Sequence, residues 1–318
     1  MLIYLLFIVG FYVLIKGADL LVAGASSVAK KLQISNIVIG LTIVAFGTSA
    51  PEFIVNIFAS AKGDTELAIG NVIGSNIANI LLILGIAAII NPLVTRENTV
   101  WKEIPLSLLA AVMLGILAND ARLDGVSFSA LTRTDGLTLL AFFAIFLYYS
   151  FGIARVNADS EGEEIQELGK WKSVLYILFG LTGLVFGGKW IVDGAIRIAE
   201  NFQVSQSLIG LTIVAIGTSL PELATSAVAA YRRQTDIAIG NVVGSNIFNV
   251  FWILGFSSLI NPLPFDPGAD VDVMMTIVSS LLLFLIMFIG KKHTVERWQG
   301  VVMVSLYITY IIYLILTK

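Results

Sequence analysis

Gly40-Leu-Thr-Ile-Val-Ala-Phe-Gly-Thr-Ser-Ala-Pro-Glu52 returns later in the chain as Gly210-Leu-Thr-Ile-Val-Ala-Ile-Gly-Thr-Ser-Leu-Pro-Glu222, with two of thirteen positions changed. Leu67-Ala-Ile-Gly-Asn-Val-Ile-Gly-Ser-Asn-Ile-Ala-Asn79 likewise returns as Ile237-Ala-Ile-Gly-Asn-Val-Val-Gly-Ser-Asn-Ile-Phe-Asn249. Both pairs are offset by 170 residues, and Gln33-Ile-Ser35 keeps that offset with Gln203-Val-Ser205. Chance does not produce this, so the chain carries an internal duplication.

The surroundings of these motifs are apolar. The chain has 318 residues, 57% hydrophobic and 13% charged. Runs such as Ile104–Ala118, Gly136–Phe151, Met274–Gly290 and Gln299–Leu316 hold almost no charge. Each is about long enough to cross the hydrocarbon core, allowing for tilt. Ten spans are expected, near 2–29, 36–60, 67–90, 104–118, 136–153, 173–198, 206–230, 237–260, 272–290 and 299–316. The fold class is therefore an all-α polytopic membrane protein. The first segment is too long for a signal peptide and lacks its basic start, so it reads as a retained helix. There is no Cys, and the single His293 stands in a Lys-Lys-His stretch between helices. That excludes disulfides and zinc or copper sites built from thiolate and imidazole. The net charge of −3 says little, because in a membrane protein the placement of charge matters.

Five spans fit into one offset, and five is odd. The second copy then enters the membrane from the opposite side, as in the inverted repeats of secondary transporters, whose site lies near the midplane. The expected organisation is a first five-helix repeat over 1–154, a linker over 155–172 and a second repeat over 173–318. The linker carries Asp159, Glu161, Glu163, Glu164 and Glu167 and reads as a solvated connection. A calcium sensor is the sharper alternative, but the loop has no EF-hand spacing. One side of the membrane receives Lys30, Lys31, Arg96, Lys102, Arg155, Lys170, Lys172, Arg232, Arg233, Lys291, Lys292 and Arg297; the other receives Lys62, Arg122, Arg133, Arg197 and Lys318. The richer side should be cytoplasmic, which puts both termini outside and the linker inside.

Glu52 and Glu222 each stand inside an apolar span, where a carboxylate is costly and marks a pairing or an ion path. Each follows a proline, Pro51 or Pro221. A proline inside a helix removes a backbone hydrogen bond, so each helix should open just before its Glu, leaving carbonyls near Ala45 and Thr48, and near Ala215 and Thr218. Broken helices at membrane depth are tolerated only when buried or lining a cavity. The hydroxyls of Thr48, Ser49, Thr218 and Ser219 add to an all-oxygen donor set suited to hard cations such as calcium or sodium. Two carboxylates would neutralise one divalent ion. Ser75 with Asn79, and Ser245 with Asn249, are spaced to share one helix face. Gly70, Gly74, Gly240 and Gly244 allow close helix packing. A lone intramembrane Ser, Thr or Asn commonly serves only as an interhelical hydrogen-bonding group. Glu at matched positions of two copies is not explained by packing. Asp19 and Asp193 are not equivalent under the offset and read as structural or interfacial charges.

Gly-Thr-Ser-x-Pro-Glu followed by Gly-Asn-x-x-Gly-Ser-Asn, present twice, resembles the two alpha-repeats of the calcium:cation antiporter superfamily, and most closely its prokaryotic sodium/calcium exchangers. The resemblance extends over essentially the whole chain. It implies ten helices in an inverted repeat and four clustered cation sites. By position, Glu52, Glu222 and the carbonyls of Thr48 and Thr218 would hold calcium. Sodium would use the same Glu residues with Ala45, Ser49 and Ser75 on one side and Ala215, Ser219 and Ser245 on the other, with Asn79 and Asn249 lining the middle. The proton-coupled branch carries an acid where this chain has Gly74 and Gly244, which favours sodium. Several relatives have Asp at the position of Asn249. The implied protein is an antiporter of the cell membrane, not an enzyme, that moves calcium and sodium ions through the lipid bilayer. It needs no cofactor, nucleic acid or oligomer. Proton/calcium exchange, a cation channel and a non-transporting scaffold are the alternatives. Channels usually build pores from rings of subunits or symmetry-related loops, and a scaffold does not need two intramembrane Glu residues.

Overall fold

The computed structural model describes residues 2–125, 127–154, 168–202 and 215–317. The expected linker residues 155–167, Gln203–Ser205 and the opening of the expected seventh span, 206–214, lie outside the described residues. The helices are α1 (Leu2–Leu32), α2 (Asn36–Thr48), α3 (Ala50–Lys62), α4 (Thr65–Ile90), α5 (Thr99–Leu117), the short α6 (Asp120–Leu123) and α7 (Arg133–Ala154). Then come α8 (Lys170–Asn201), α9 (Ala215–Thr218), α10 (Leu220–Tyr231), α11 (Thr235–Ile260), α12 (Asp270–Ile286) and α13 (Arg297–Thr317). Seven of the described helices are long and apolar enough to cross a membrane, and the bent pair α2–α3 makes an eighth. The helix at the expected ninth span, α12, has 17 residues and stops before Gly290, whose φ is +78°. The helix at the fourth begins earlier than expected, at Thr99, and takes in Trp101, Lys102 and Glu103.

Polarity runs inside-out relative to a water-soluble protein. Leu5, Ile8, Tyr12 and Ile15 on α1, Ile145 and Tyr148 on α7 and Ile308 and Ile312 on α13 are exposed, while Ser, Asn and Glu side chains crowd the interior. Lipid, being as apolar as Leu, accepts the first set, and the second set finds partners only inside. The central pair is α4 and α11. In α11, 94% of the most apolar stretch is buried, so it is enclosed on all sides, whereas α13 buries 17% and lies at the rim.

The peripheral pair α1 and α8 shows how sequence sets packing. Gly10, Gly17 and Gly24 recur every seven residues, as do Gly180 and Gly187, a period that holds one face toward a partner. A Cβ on Gly17 would stand 2.8 Å from the Gly180 carbonyl oxygen and the Leu184 nitrogen. Gly10 meets Gly187 and Gly24 meets Ser173 in the same way. The contacts run in opposite order along the two helices, so α1 and α8 are antiparallel and touch backbone to backbone. Gly240 and Gly244 on α11 similarly admit the backbone of α2 at Ile37 and Leu41. Gly70 and Gly74 have no described neighbour within 4 Å of such a Cβ.

Two short antiparallel ladders join the halves of the chain. β1 (Leu93–Val94), after α4, pairs with β4 (Thr294–Val295). β2 (Ser129–Leu131) pairs with β3 (Leu263–Phe265), after α11. Asp19 pairs with Arg232, bridging α1 to the α10–α11 turn, and Asp193 pairs with Lys189 one turn earlier. Both acids are thus ion-paired, on side chains that are partly exposed.

Candidate functional site

Ser49 separates α2 from α3 with φ −82° and ψ 6°, outside helical values, and the axes bend by 47° there. Ser219 breaks the second copy with φ −88° and ψ 7°. Pro51 and Pro221 occupy the first turns of α3 and α10, where a missing N–H costs nothing. The opening differs in detail from expectation. The Ala45 carbonyl is not left free: it accepts the Ser49 N–H at 3.0 Å and lies 3.3 Å from the Thr48 hydroxyl. The acceptor that Pro51 deprives is Gly47, four residues before it. In the second copy the Ser219 N–H donates to the Ile216 carbonyl at 3.1 Å. Trp252 stacks on Phe46 at 4.8 Å and on Phe53 at 4.7 Å, bridging the two sides of the first break.

Each break delivers its Glu to the first turn of the following helix, where unpaired N–H groups favour negative charge. Glu52 and Glu222 are both 1% exposed. Each is held by the other copy. The Ser49 hydroxyl donates to Glu222 Oε1 at 2.9 Å, and the Ser219 hydroxyl lies 3.3 Å from Glu52 Oε1. Ser219 also lies 3.2 Å from the Ser75 hydroxyl, and Ser245 donates to Glu222 Oε1 at 3.4 Å. Thr48 donates to Asn241 Oδ1 at 2.9 Å, and its mate Thr218 to Asn71 Oδ1 at 3.4 Å. Residues 170 apart thus make equivalent bonds in opposite directions across one centre.

Asn79 and Asn249 stand on α4 and α11, inside wider π-helical turns at Ala78–Leu84 and Phe248–Leu254. Such turns are frequent at functional sites. Glu52 Oε2, Glu222 Oε2, Asn79 Oδ1 and Asn249 Oδ1 are buried and accept no hydrogen bond. All four are acceptors. A buried acceptor without a donor costs on the order of 1–3 kcal/mol, and a dehydrated hard cation is the species that satisfies several at once. No cluster of three or more His, Cys, Asp or Glu occurs among the described residues, so the charge at this centre comes from two carboxylates. Of the sequence-predicted set, Ser49, Glu52 and Ser75 from one copy meet Ser219, Glu222 and Ser245 from the other, with Thr48 and Thr218 bonded to Asn241 and Asn71 beside them, while Asn79 and Asn249 bond Asn246 and Asn76 across the two copies. Ala45 and Ala215 are backbone positions beside the breaks.

The sodium/calcium exchanger protein family matches residues 2–152 and 172–316. The chain belongs to the sodium/calcium exchanger family. This exchanger-family chain is 34% identical to the sodium/calcium exchanger MaX1 of Methanosarcina acetivorans over 98% of both proteins. It is 35% identical to the inner membrane protein YrbG of Escherichia coli over 96% of this chain and 94% of that protein. A solved structure of the sodium-calcium exchanger NCX_Mj superposes with a TM-score of 0.84 at 34% identity, covering 98% of each chain. The family is one of transporters, and the chain is a multi-pass, all-helical membrane protein.

Several polar residues of this exchanger-family chain went unassigned in the sequence. Asn241 donates to Ser226 at 2.9 Å and to the Glu222 carbonyl at 3.3 Å, and Asn56 donates to the Glu52 carbonyl at 3.0 Å. Asn71, Asn76, Asn241 and Asn246 all lie inside the duplicated motifs, and exact repetition was the signal that marked them. Glu103 is a third buried carboxylate, on α5, and is bonded by the Tyr149 hydroxyl at 2.7 Å.

Proposed function

We propose that this chain is a secondary active antiporter exchanging calcium for sodium across the cell membrane by alternating access. The observation that carries the proposal is the pair of buried carboxylates, each held by a serine of the other copy, with one oxygen apiece left unbonded. Two negative charges match one calcium ion, and the same oxygens serve sodium in competition with it. Calcium would be held by Glu52, Glu222 and the carbonyls of Thr48 and Thr218. Sodium would use those Glu residues with Ala45, Ser49, Ser75, Ala215, Ser219 and Ser245, and Asn79 and Asn249 would line the middle. The ions are substrates, and the reading needs no cofactor or second subunit.

The architecture in this reading is ten transmembrane helices in two inverted repeats, over 1–154 and 173–318, joined by 155–172. The antiparallel course of α1 and α8, first helices of the two copies, supports it. The Lys and Arg distribution supports both termini outside and 155–172 in the cytoplasm. Single-cysteine labelling of intact cells tests that orientation, and labelling within 155–172 from outside would reverse it.

The function is tested with purified protein in proteoliposomes. Calcium uptake should follow an imposed sodium gradient and not a pH gradient, and saturating sodium should abolish calcium binding by calorimetry. Uptake driven by the pH gradient alone would replace the proposal with proton exchange. Calcium binding indifferent to sodium would end the shared-site mechanism.

A further inference from the structure

Four buried asparagines lie between the repeats, each at most 2% exposed. Asn76 Nδ2 donates to the main-chain carbonyl of Asn246, and Asn246 Nδ2 donates to the main-chain carbonyl of Asn76, both at 3.4 Å. A main-chain carbonyl only accepts, so these bonds settle which end of each amide faces which way. The two Oδ1 atoms are turned toward the following turns. There Asn76 Oδ1 accepts from Asn249 Nδ2 and Asn246 Oδ1 from Asn79 Nδ2, each at 2.9 Å. The donor ends of Asn79 and Asn249 are thereby committed, and their own Oδ1 atoms are the buried oxygens without a partner.

We propose that Asn76 and Asn246 are positioning residues that fix the amide orientation of Asn249 and Asn79, so that the centre presents oxygen and never N–H₂ to a passing cation. An amide is nearly symmetric in shape, and without a fixed partner it turns over readily. A turned amide would point two donors at the ion. The crossed main-chain bonds prevent this, and they do so in both copies at once. This inference rests on the cation reading of the site given above.

The test compares substitutions of similar shape. Asn76→Leu and Asn246→Leu keep the branched outline, with somewhat more bulk, but remove the acceptor that holds Asn249 or Asn79. Asn76→Asp keeps an acceptor for Asn249 while giving up the bond to the Asn246 carbonyl. Calcium affinity by calorimetry and the KM and maximal rate of sodium-driven calcium uptake would be measured in proteoliposomes. The Leu variants should lose roughly 10–100-fold in affinity and show KM raised by a similar factor, the range for residues that orient ligands, with a smaller change in maximal rate. Asn76→Asp should stay within about threefold of the unmodified affinity. Leu variants with unchanged KM overturn the inference, and so does an Asp variant that loses as much affinity as Leu. If Asn76→Leu does not fold, Asn76→Ser, too short to reach Asn249, takes its place in the same contrast. Absence of sodium-driven uptake by the unmodified protein is a separate outcome that removes the proposed function itself.

Discussion

Glu222→Gln removes one charge and almost no volume. In the native site Glu222 Oε1 accepts the Ser49 hydroxyl at 2.9 Å and the Ser245 hydroxyl at 3.4 Å, and Oε2 accepts nothing. The Gln carbonyl oxygen inherits both serines, so its NH₂ falls where the unbonded oxygen stood. A calcium ion then meets one carboxylate and a pair of N–H donors in place of two carboxylates. Removing one partner of a buried charge pair costs about 3–5 kcal/mol. At 1.4 kcal/mol per tenfold, this is roughly two to three and a half orders of magnitude in affinity. Sodium-driven calcium flux should disappear at ordinary calcium concentrations. The melting temperature should hold, because an amide is cheaper to bury than an unpaired carboxylate. Glu52→Gln should behave alike, since Ser219 stands in the matching position. Glu103→Gln is the control: it too is a buried carboxylate, but it is bonded to Tyr149 and not to the serines at the breaks, and its loss should leave calcium affinity unchanged. The assays are isothermal calcium binding, flux into proteoliposomes and melting in detergent. A folded Glu222→Gln protein with native affinity would refute the two-carboxylate site, and an effect of Glu103→Gln as large as that of Glu222→Gln would show that general burial of charge is being read.

Three other outcomes are expected. Asn249→Asp should retain transport but acquire a changed pH profile, because an acid replaces the amide that donates to Asn76 Oδ1 only when it carries a proton; flux measured from pH 5 to 9 checks this, and an unaltered profile would count against the bonding described. Gly17→Ala should lower the melting temperature by an amount corresponding to about 1–3 kcal/mol, since its Cβ would meet backbone atoms of α8 at 2.8 Å and neither helix has a side chain to move aside; a neutral result would mean that α1 and α8 separate freely. Asp19→Arg should weaken the link from α1 to the α10–α11 turn, and adding Arg232→Asp should restore it. With both side chains about a third exposed, the effect on stability should stay below about 1 kcal/mol, as melting of the single and double variants will show.

The duplication made much of the site legible. Glu52 and Glu222, repeated behind a proline in apolar surroundings, could be assigned without any relative, and the serines and threonines came with them by proximity. The broken helix was readable from Pro51, and so in principle was Gly47 as the acceptor four residues earlier; what the sequence does not show is that the Ala45 carbonyl keeps a donor, the Ser49 N–H. Asn76 and Asn246 stood in plain view between assigned neighbours. The rule of i, i+4 neighbours picked out Ser75 and Asn79, whereas the partners of Asn76 come from 170 residues away and from wider turns. Glu103 was invisible for the opposite reason. Its counterpart at the same offset is Val273, so the repeat is silent about it, and Tyr149, which bonds it, is 46 residues on. Helix lengths were approximate because apolar composition does not register where Gly290 turns the chain or where Thr99 begins it.

The reciprocity of the serine–glutamate bonds bears on how the protein is made. Ribosomes deliver the chain from one end, so Glu52 reaches the bilayer long before Ser219 exists. Until then this acid has no hydroxyl from the later copy and sits in a bundle whose deepest helix, α11, has not been synthesised. The early half must wait as an unfinished intermediate, its carboxylate shielded by water, a proton or helper proteins of the membrane. Completion of the later half closes both sides together, since Ser49 meets Glu222 as Ser219 meets Glu52. A chain truncated after α7 should therefore be a target for membrane quality control, not half of a working protein.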